Sequence, residues 1–166
     1  MRIPFTFSAF VALAVPVQAL DIVETGRYAL NRPASLDYDP TFCGLWIANE
    51  GPEVVLVTLQ GEELRRFGSD LFRIQASSVE GNNLIAGDGF GKMQRLTKNG
   101  EAQGEPFTLD GGFADTEGIA IAANGDIVTV EDDPERLSWF SPSGALKEQI
   151  NTTQLPTPLT EAQGIA

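Results

Sequence analysis

A unit of four short β-type runs recurs along this chain, and each run is closed by Gly, Asn, Asp or Pro. The unit is clearest between residues 118 and 150, where the predicted strands are 118–121, 127–130, 136–140 and 145–150. Asn124-Gly125 lies between the first two strands and supplies the positive φ angles of a tight hairpin. Beyond Ala19, no stretch shows a helical apolar period over three turns. The unit therefore predicts a four-stranded antiparallel meander.

Parts of the same unit recur upstream and downstream at regular offsets. Residues 45–49 align with 84–88 at an offset of 39, 50–53 with 132–135 at 82, and 118–120 with 164–166 at 46. Four strands in every 39 to 46 residues are typical of β-propeller blades, so we predict an all-β propeller built of four-stranded antiparallel blades. A β-sandwich is the alternative, because it also consists of many short strands.

The number of blades follows from the length that is left after the N-terminal segment. At about 43 residues a blade, residues 20–166 form about three and a half blades, whereas propellers close with about four to eight. Residues 164–166 look like the start of a further inner strand. We therefore expect residues 20–166 to be a partial propeller domain, and the chain to be the N-terminal fragment of a longer propeller.

The first 19 residues have the pattern of a secretory signal peptide. Met1-Arg2 is positively charged, residues 3–17 are uncharged and mostly apolar, and small side chains at Val17 and Ala19 suit a cleavage site. The apolar stretch is short for a membrane-spanning helix of about 20 residues, which is the alternative. We predict cleavage after Ala19, a periplasmic or extracellular location, and no membrane association after cleavage.

Composition excludes several kinds of site. The chain has no His, which excludes histidine triads, and a single Cys, which excludes an internal disulfide and a multi-Cys zinc site. With 11 Lys and Arg against 23 Asp and Glu, the formal net charge is −12. Nucleic acids and anionic membranes bind basic surfaces, so we expect a divalent cation as the small partner and no nucleic acid. Apolar neighbours predict that Cys43 is buried, and Trp46 is expected in the core.

Acidic side chains fall at one rim of the predicted blades. The start of an inner strand and the end of the second strand lie at the same face, because these strands are antiparallel neighbours. The candidate metal ligands at these positions are Glu50, Asp88, Asp115, Glu117, Glu131 and Asp132. Carboxylate oxygens without His or thiolate suit Ca²⁺ first and Mg²⁺ or Mn²⁺ second. The alternative is that these residues serve backbone turns, as Asp and Asn commonly do.

Several segments resemble known propeller families. Asp115-Thr116-Glu117-Gly118-Ile119-Ala120, with residues 124–126, 128–131 and 136–140, resembles blades of the SdiA-regulated and esterase-like-activity-of-phytase families. Residues 36–40 leading into 45–49 resemble their opening blade, and also blades of the wider gluconolactonase-like and strictosidine-synthase-like group.

The resemblance implies an exported six-bladed propeller that often binds calcium at an acidic central site. In the gluconolactonase-like relatives a Glu at the start of an inner strand is a metal ligand, and Glu117 is the matching residue here. Gln163 departs from Glu at the corresponding position of the next blade.

Three functions are compatible with these observations. The first is a calcium-binding module that binds or senses a small-molecule or protein ligand, and no nucleotide or organic cofactor is indicated. The second is a metal-dependent hydrolase of phosphoesters or lactones, with Glu117 or Glu131 as metal ligand or base. The third is a metal-free protein-interaction scaffold.

Overall fold

The computed structural model describes residue 24, residues 26–111 and residues 115–165. The predicted signal peptide, residues 1–19, lies outside these described residues and stays a prediction. Within the described residues there is no helix of the length and apolarity that crossing a membrane requires.

In the described part of the chain, twelve strands form three separate sheets. They are β1 (Pro33–Asp39), β2 (Gly44–Asn49), β3 (Glu53–Thr58), β4 (Glu63–Gly68), β5 (Ala76–Glu80), β6 (Asn83–Gly87), β7 (Lys92–Thr97), β8 (Phe107–Thr108), β9 (Thr116–Ile121), β10 (Ile127–Asp132), β11 (Glu135–Phe140) and β12 (Leu146–Asn151). A single 3-10 turn, Thr152–Gln154, is the helical element of the described residues.

Each sheet is a four-stranded antiparallel meander in chain order. We call them blade 1 (β1–β4), blade 2 (β5–β8) and blade 3 (β9–β12). Short turns join consecutive strands within a blade, except that residues 98–106 connect β7 to β8. At the β9–β10 turn Gly125 has a φ of 84°. The first strand of each blade is innermost, and β5 lies between β1 and β9. This arrangement confirms the predicted all-β fold of four-stranded antiparallel blades.

Burial follows the position of each strand within its blade. In β3, residues 54–57 (Val-Val-Leu-Val) are buried in succession. A continuous run of buried β-branched and aliphatic residues is typical of a strand that is covered on both faces. The outermost strand β12 is instead mostly exposed. The blades therefore pack face to face through their central strands.

Two hydrophobic clusters hold neighbouring blades together. Trp46, fully buried as expected, packs with Leu56 of blade 1 and Leu84 of blade 2. Ile85, the next residue of the same strand, packs with Ile119 of blade 3. Alternate residues of β6 thus face opposite neighbours, as the two-residue period of a strand requires. Full burial of one such aliphatic side chain is worth about 1.5–3 kcal/mol.

The prediction that Cys43 is buried is wrong. Its side chain is exposed, and its backbone has a φ of 46° in the turn between β1 and β2. Asp39 organises this turn, because its Oδ1 accepts a hydrogen bond from the Thr41 N–H at 2.9 Å. Apolar neighbours in sequence did not decide the burial of Cys43, since the tight turn directs consecutive residues to different sides.

Candidate metal centre

Two neighbouring strands of blade 3 bring three carboxylates together. Asp115 immediately precedes β9, Glu117 is the second residue of β9, and Asp132 ends β10. The backbone joins the two segments directly, because the Asp132 N–H donates to the Asp115 carbonyl oxygen at 3.2 Å. One carboxylate oxygen from each of the three side chains lies within 4.8 Å of the other two. We call Asp115, Glu117 and Asp132 the rim carboxylates.

The rim carboxylates repel one another in a partly dehydrated place. Burial raises the pKa of Glu117, and the charges of Asp115 and Asp132 raise it further. A hydrogen bond from Gln75 and the charge of Arg73 act in the opposite direction without cancelling the rise. The ionised cluster is therefore electrostatically unfavourable by itself, and a bound cation would relieve it.

Buried oxygen atoms without a hydrogen-bond partner occur in each of the three blades, at the start of an inner strand or the end of a second strand. Gln75, just before β5, donates from Nε2 to Glu117 Oε2 at 3.1 Å, while its own Oε1 is buried without a hydrogen-bond partner. Asp132 Oδ1 is also buried without a hydrogen-bond partner, and so is Asn49 Oδ1 at the end of β2. Buried polar atoms normally have a partner. Oxygens that lack donors are suited to coordinate a hard cation.

Gln75 was not among the residues singled out from the sequence. It stands 42 residues before Glu117, close to one blade repeat, and occupies the equivalent place at the start of the preceding inner strand. The alignment of the repeats compared inner strands only between residues 118–120 and 164–166, so it did not extend to this position. An alignment of inner strands at that offset would have found it.

Glu131 lies outside the rim cluster. It pairs in register with Thr116, the residue between Asp115 and Glu117, so strand alternation places it away from them. Its side chain is 1% exposed. It accepts a hydrogen bond from Thr129 Oγ1 at 2.8 Å and forms an ion pair with Arg136.

Asp88 has partners in its own turn, and Glu50 has partners from other segments of the chain. Asp88 Oδ1 accepts hydrogen bonds from the backbone N–H groups of Phe90 at 2.7 Å and Lys92 at 3.0 Å, which is a turn-stabilising role. Glu50 forms ion pairs with Arg32 and with Arg73, the latter at 3.4 Å. The structure thus brings together three of the six candidate ligands and gives the other three protein partners.

A cavity of about 600 Å³ opens beside Glu117. It lies among the inner strands β1, β5 and β9, with residues 163–165 forming another part of its wall. Propellers characteristically have a central channel at this place. The rim carboxylates therefore stand at the edge of a space that is large enough for a small molecule.

Solved structures that are similar to this chain include two lyases and a protein of unknown function. A streptogramin B lyase aligns with a TM-score of 0.57 and 16% identity, over 83% of this chain and 43% of that chain. A catalytically inactive virginiamycin B lyase from Staphylococcus aureus, with quinupristin, gives 0.55 and 18% over 76% and 42%. A Bacteroides caccae protein of unknown function gives 0.54 and 12% over 72% and 45%. No protein-family model matches the sequence, and no curated protein matches it.

These similarities and the three blades define a β-propeller protein, similar in fold to streptogramin B lyase. The chain spans less than half the length of each of the three structures. Identities of 12 to 18% carry information on the fold alone.

Proposed function

We propose that this chain belongs to a propeller that binds a divalent cation, calcium first, at the rim carboxylates, and that works as a ligand-binding or sensing module. The observation that carries the proposal is the convergence of Asp115, Glu117 and Asp132 within 4.8 Å. The buried, unpartnered Oε1 of Gln75 adds a neutral oxygen ligand beside them. Calcium takes six to eight oxygen ligands from carboxylates, amides and water, and this donor set fits it.

The proposal also includes the family of propellers that this chain resembles. The resemblance to the SdiA-regulated and esterase-like-activity-of-phytase families supports a module of that type, with Glu117 at the position of a metal-ligating Glu in gluconolactonase-like relatives. Export rests on the pattern of residues 1–19. An exported protein meets calcium at higher concentration than a cytosolic one, so a site of modest affinity would be filled there.

Calcium titration by calorimetry tests the site. Replacing Asp132→Asn removes one negative ligand and keeps the size of the side chain, and we expect calcium affinity to fall at least about tenfold, or 1.4 kcal/mol. Asp88→Asn is the matched control, because Asp88 holds a turn and its retained Oδ1 still accepts the two backbone hydrogen bonds. Equal calcium affinity in the wild type and Asp132→Asn would contradict the assignment of the rim carboxylates as ligands. An equal loss of affinity in Asp132→Asn and Asp88→Asn would contradict it as well.

A second candidate function is metal-dependent hydrolysis of a phosphoester or lactone. The observation that favours it is Glu117, a cavity-lining carboxyl whose pKa is raised by burial and by neighbouring acids, as general bases often are. Calcium-dependent turnover of such an ester that disappears in Glu117→Gln would favour this candidate. Binding without turnover favours the module.

A further inference from the structure

The cavity beside Glu117 has two chemically different parts. Its apolar part is formed by Leu36 of β1, Ile47 of β2, Ile119 of β9 and Ile165. Its polar part is formed by serine, glutamine and glutamate side chains, and Glu117 is the one charged residue among the described lining residues. At about 600 Å³ the cavity is within the range of small-molecule sites, which are mostly apolar with a few polar groups.

The hydroxyl group of Ser77 is the polar feature of the cavity that indicates a ligand. Its side chain is 3% exposed, it lines the cavity, and its Oγ has no hydrogen-bond partner. The adjacent Ser78 provides the contrast, because its Oγ donates to Asp37 Oδ2 at 3.0 Å. A hydroxyl that is buried without a partner destabilises the fold. Its presence on the cavity wall is explained if a ligand supplies the missing partner.

A glycine keeps one wall of the cavity in place. A Cβ atom at Gly118 would lie 2.9 Å from Gly164 Cα and 2.9 Å from the Ile165 backbone N. Such a contact would push the 163–165 segment outward. The absence of a side chain at Gly118 therefore allows Ile165 to complete the apolar part of the cavity.

We infer that the cavity binds a small amphiphilic amine, with its ammonium group at Glu117 and Ser77 and its apolar body against Leu36, Ile119 and Ile165. Charge complementarity selects the amine, since a carboxylate is the only charge on the described wall and no Lys or Arg lines it. An ammonium has three N–H donors, which is enough for both the carboxylate and the Ser77 oxygen. The inference extends the proposed ligand-binding function but does not need the cation site.

Fluorescence titration with dansylcadaverine, an apolar fluorophore bearing a primary amine, tests this inference. The control probe is its N-acetyl derivative, which keeps the apolar body and loses the charge. With the full chain in excess chelator, we expect the amine to bind at least about tenfold more tightly than the acetylated probe. Ser77→Ala should weaken the amine about fivefold, the effect of one hydrogen bond. Glu117→Gln should remove the difference between the two probes.

Stability and calcium binding separate this inference from the proposed function. Ser77 Oγ has no protein partner, so Ser77→Ala should unfold at the same temperature as the wild type or a higher one, and should keep its calcium affinity. No saturable binding, equal affinity for both probes, or an unchanged amine affinity in Ser77→Ala would each overturn the inference. Failure of calcium to bind overturns the cation site and leaves the amine result intact.

Discussion

At the scale of single residues, the two glutamates of blade 3 illustrate how side-chain direction decides chemistry. Glu117 lies with Asp115 and Asp132, where like charges and burial raise its pKa. Glu131 is more deeply buried but is held by Arg136 and Thr129. The charge of Glu131 is thus compensated by protein partners, whereas the rim carboxylates are available for a cation.

The pKa shift of Glu117 gives a prediction whose sign depends on calcium. Because the pKa is raised in the folded state, ionised Glu117 destabilises the protein as the pH rises above the ordinary glutamate value, about 4.3. With chelator at pH 7, Glu117→Gln should therefore melt a few degrees above the wild type, and this gain should vanish below pH 4. With calcium the order should reverse, because the variant has lost a ligand. Thermal melts followed by circular dichroism measure this; an identical order in calcium and chelator would contradict it.

The sequence predicted which acidic residues lie at the rim, but not which of them are bound by other side chains of the protein. Antiparallel adjacency was enough to place Asp115, Glu117 and Asp132 at one face, since it needs only strand order. The register shift between Val130 and Glu131 changes which residues face each other across β9 and β10. The ion pair of Arg73 with Glu50 joins residues that are far apart in the sequence. Partners such as these depend on the folded structure, so sequence spacing alone did not separate Glu50, Asp88 and Glu131 from the cluster.

At the scale of elements, a buried ion pair joins blade 1 to blade 2. Asp39, which ends β1 and is fully buried, accepts from Trp46 Nε1 at 2.9 Å and from Lys98 Nζ at 2.8 Å, beyond the end of β7. Burial opposes ionisation of Asp39, but the bonds from Lys98, Trp46 and Thr41 outweigh it and lower its pKa. The contact ties the inner strand of one blade to a hairpin of the next.

Removing the lysine of this pair should destabilise the fold strongly. Lys98→Met leaves a buried carboxylate without its countercharge, and we expect a loss of about 3 kcal/mol in unfolding free energy at pH 7. Because the pKa of Asp39 is lowered, its stabilisation is present above the ordinary aspartate value of about 3.9 and is lost as the pH falls through its folded pKa. The deficit should therefore shrink in acid. Lys92→Met, at an exposed lysine of β7, is the control; equal urea midpoints for the two variants at pH 7 would contradict the role of Asp39.

The order and number of strands in blade 3 followed from the sequence, because its apolar runs alternate with turn residues of clear type. Blade 2 was less visible. Its inner strand β5 contains Ser77 and Ser78 in place of an apolar run, and its outer strand β8 has two residues. These serines are accommodated by contacts with the neighbouring inner strand: the Ser77 N–H donates to Ser35 Oγ, and Ser78 to Asp37. Such pairing between blades has no local signature.

At the scale of the whole molecule, three blades pack around the start of a channel, and acidic groups stand at its rim. The net charge of −12 favours cations near the surface, and the rim carboxylates give that general attraction a defined place. The cavity beside them offers apolar walls and a partnerless hydroxyl. Cation binding at the rim and amine binding in the channel would both use Glu117, so the two sites are linked through that carboxylate.

The most direct test of the cation site is anomalous diffraction from crystals grown with Mn²⁺, which takes the same hard oxygen ligands as calcium. We predict an anomalous peak within about 2.0–2.6 Å of carboxylate oxygens of Asp115, Glu117 and Asp132, the range of cation–oxygen distances in such sites. Displacement of that peak by excess calcium should follow. A crystal grown in millimolar Mn²⁺ with no peak among these three side chains, or with its strongest peak elsewhere, would contradict the account.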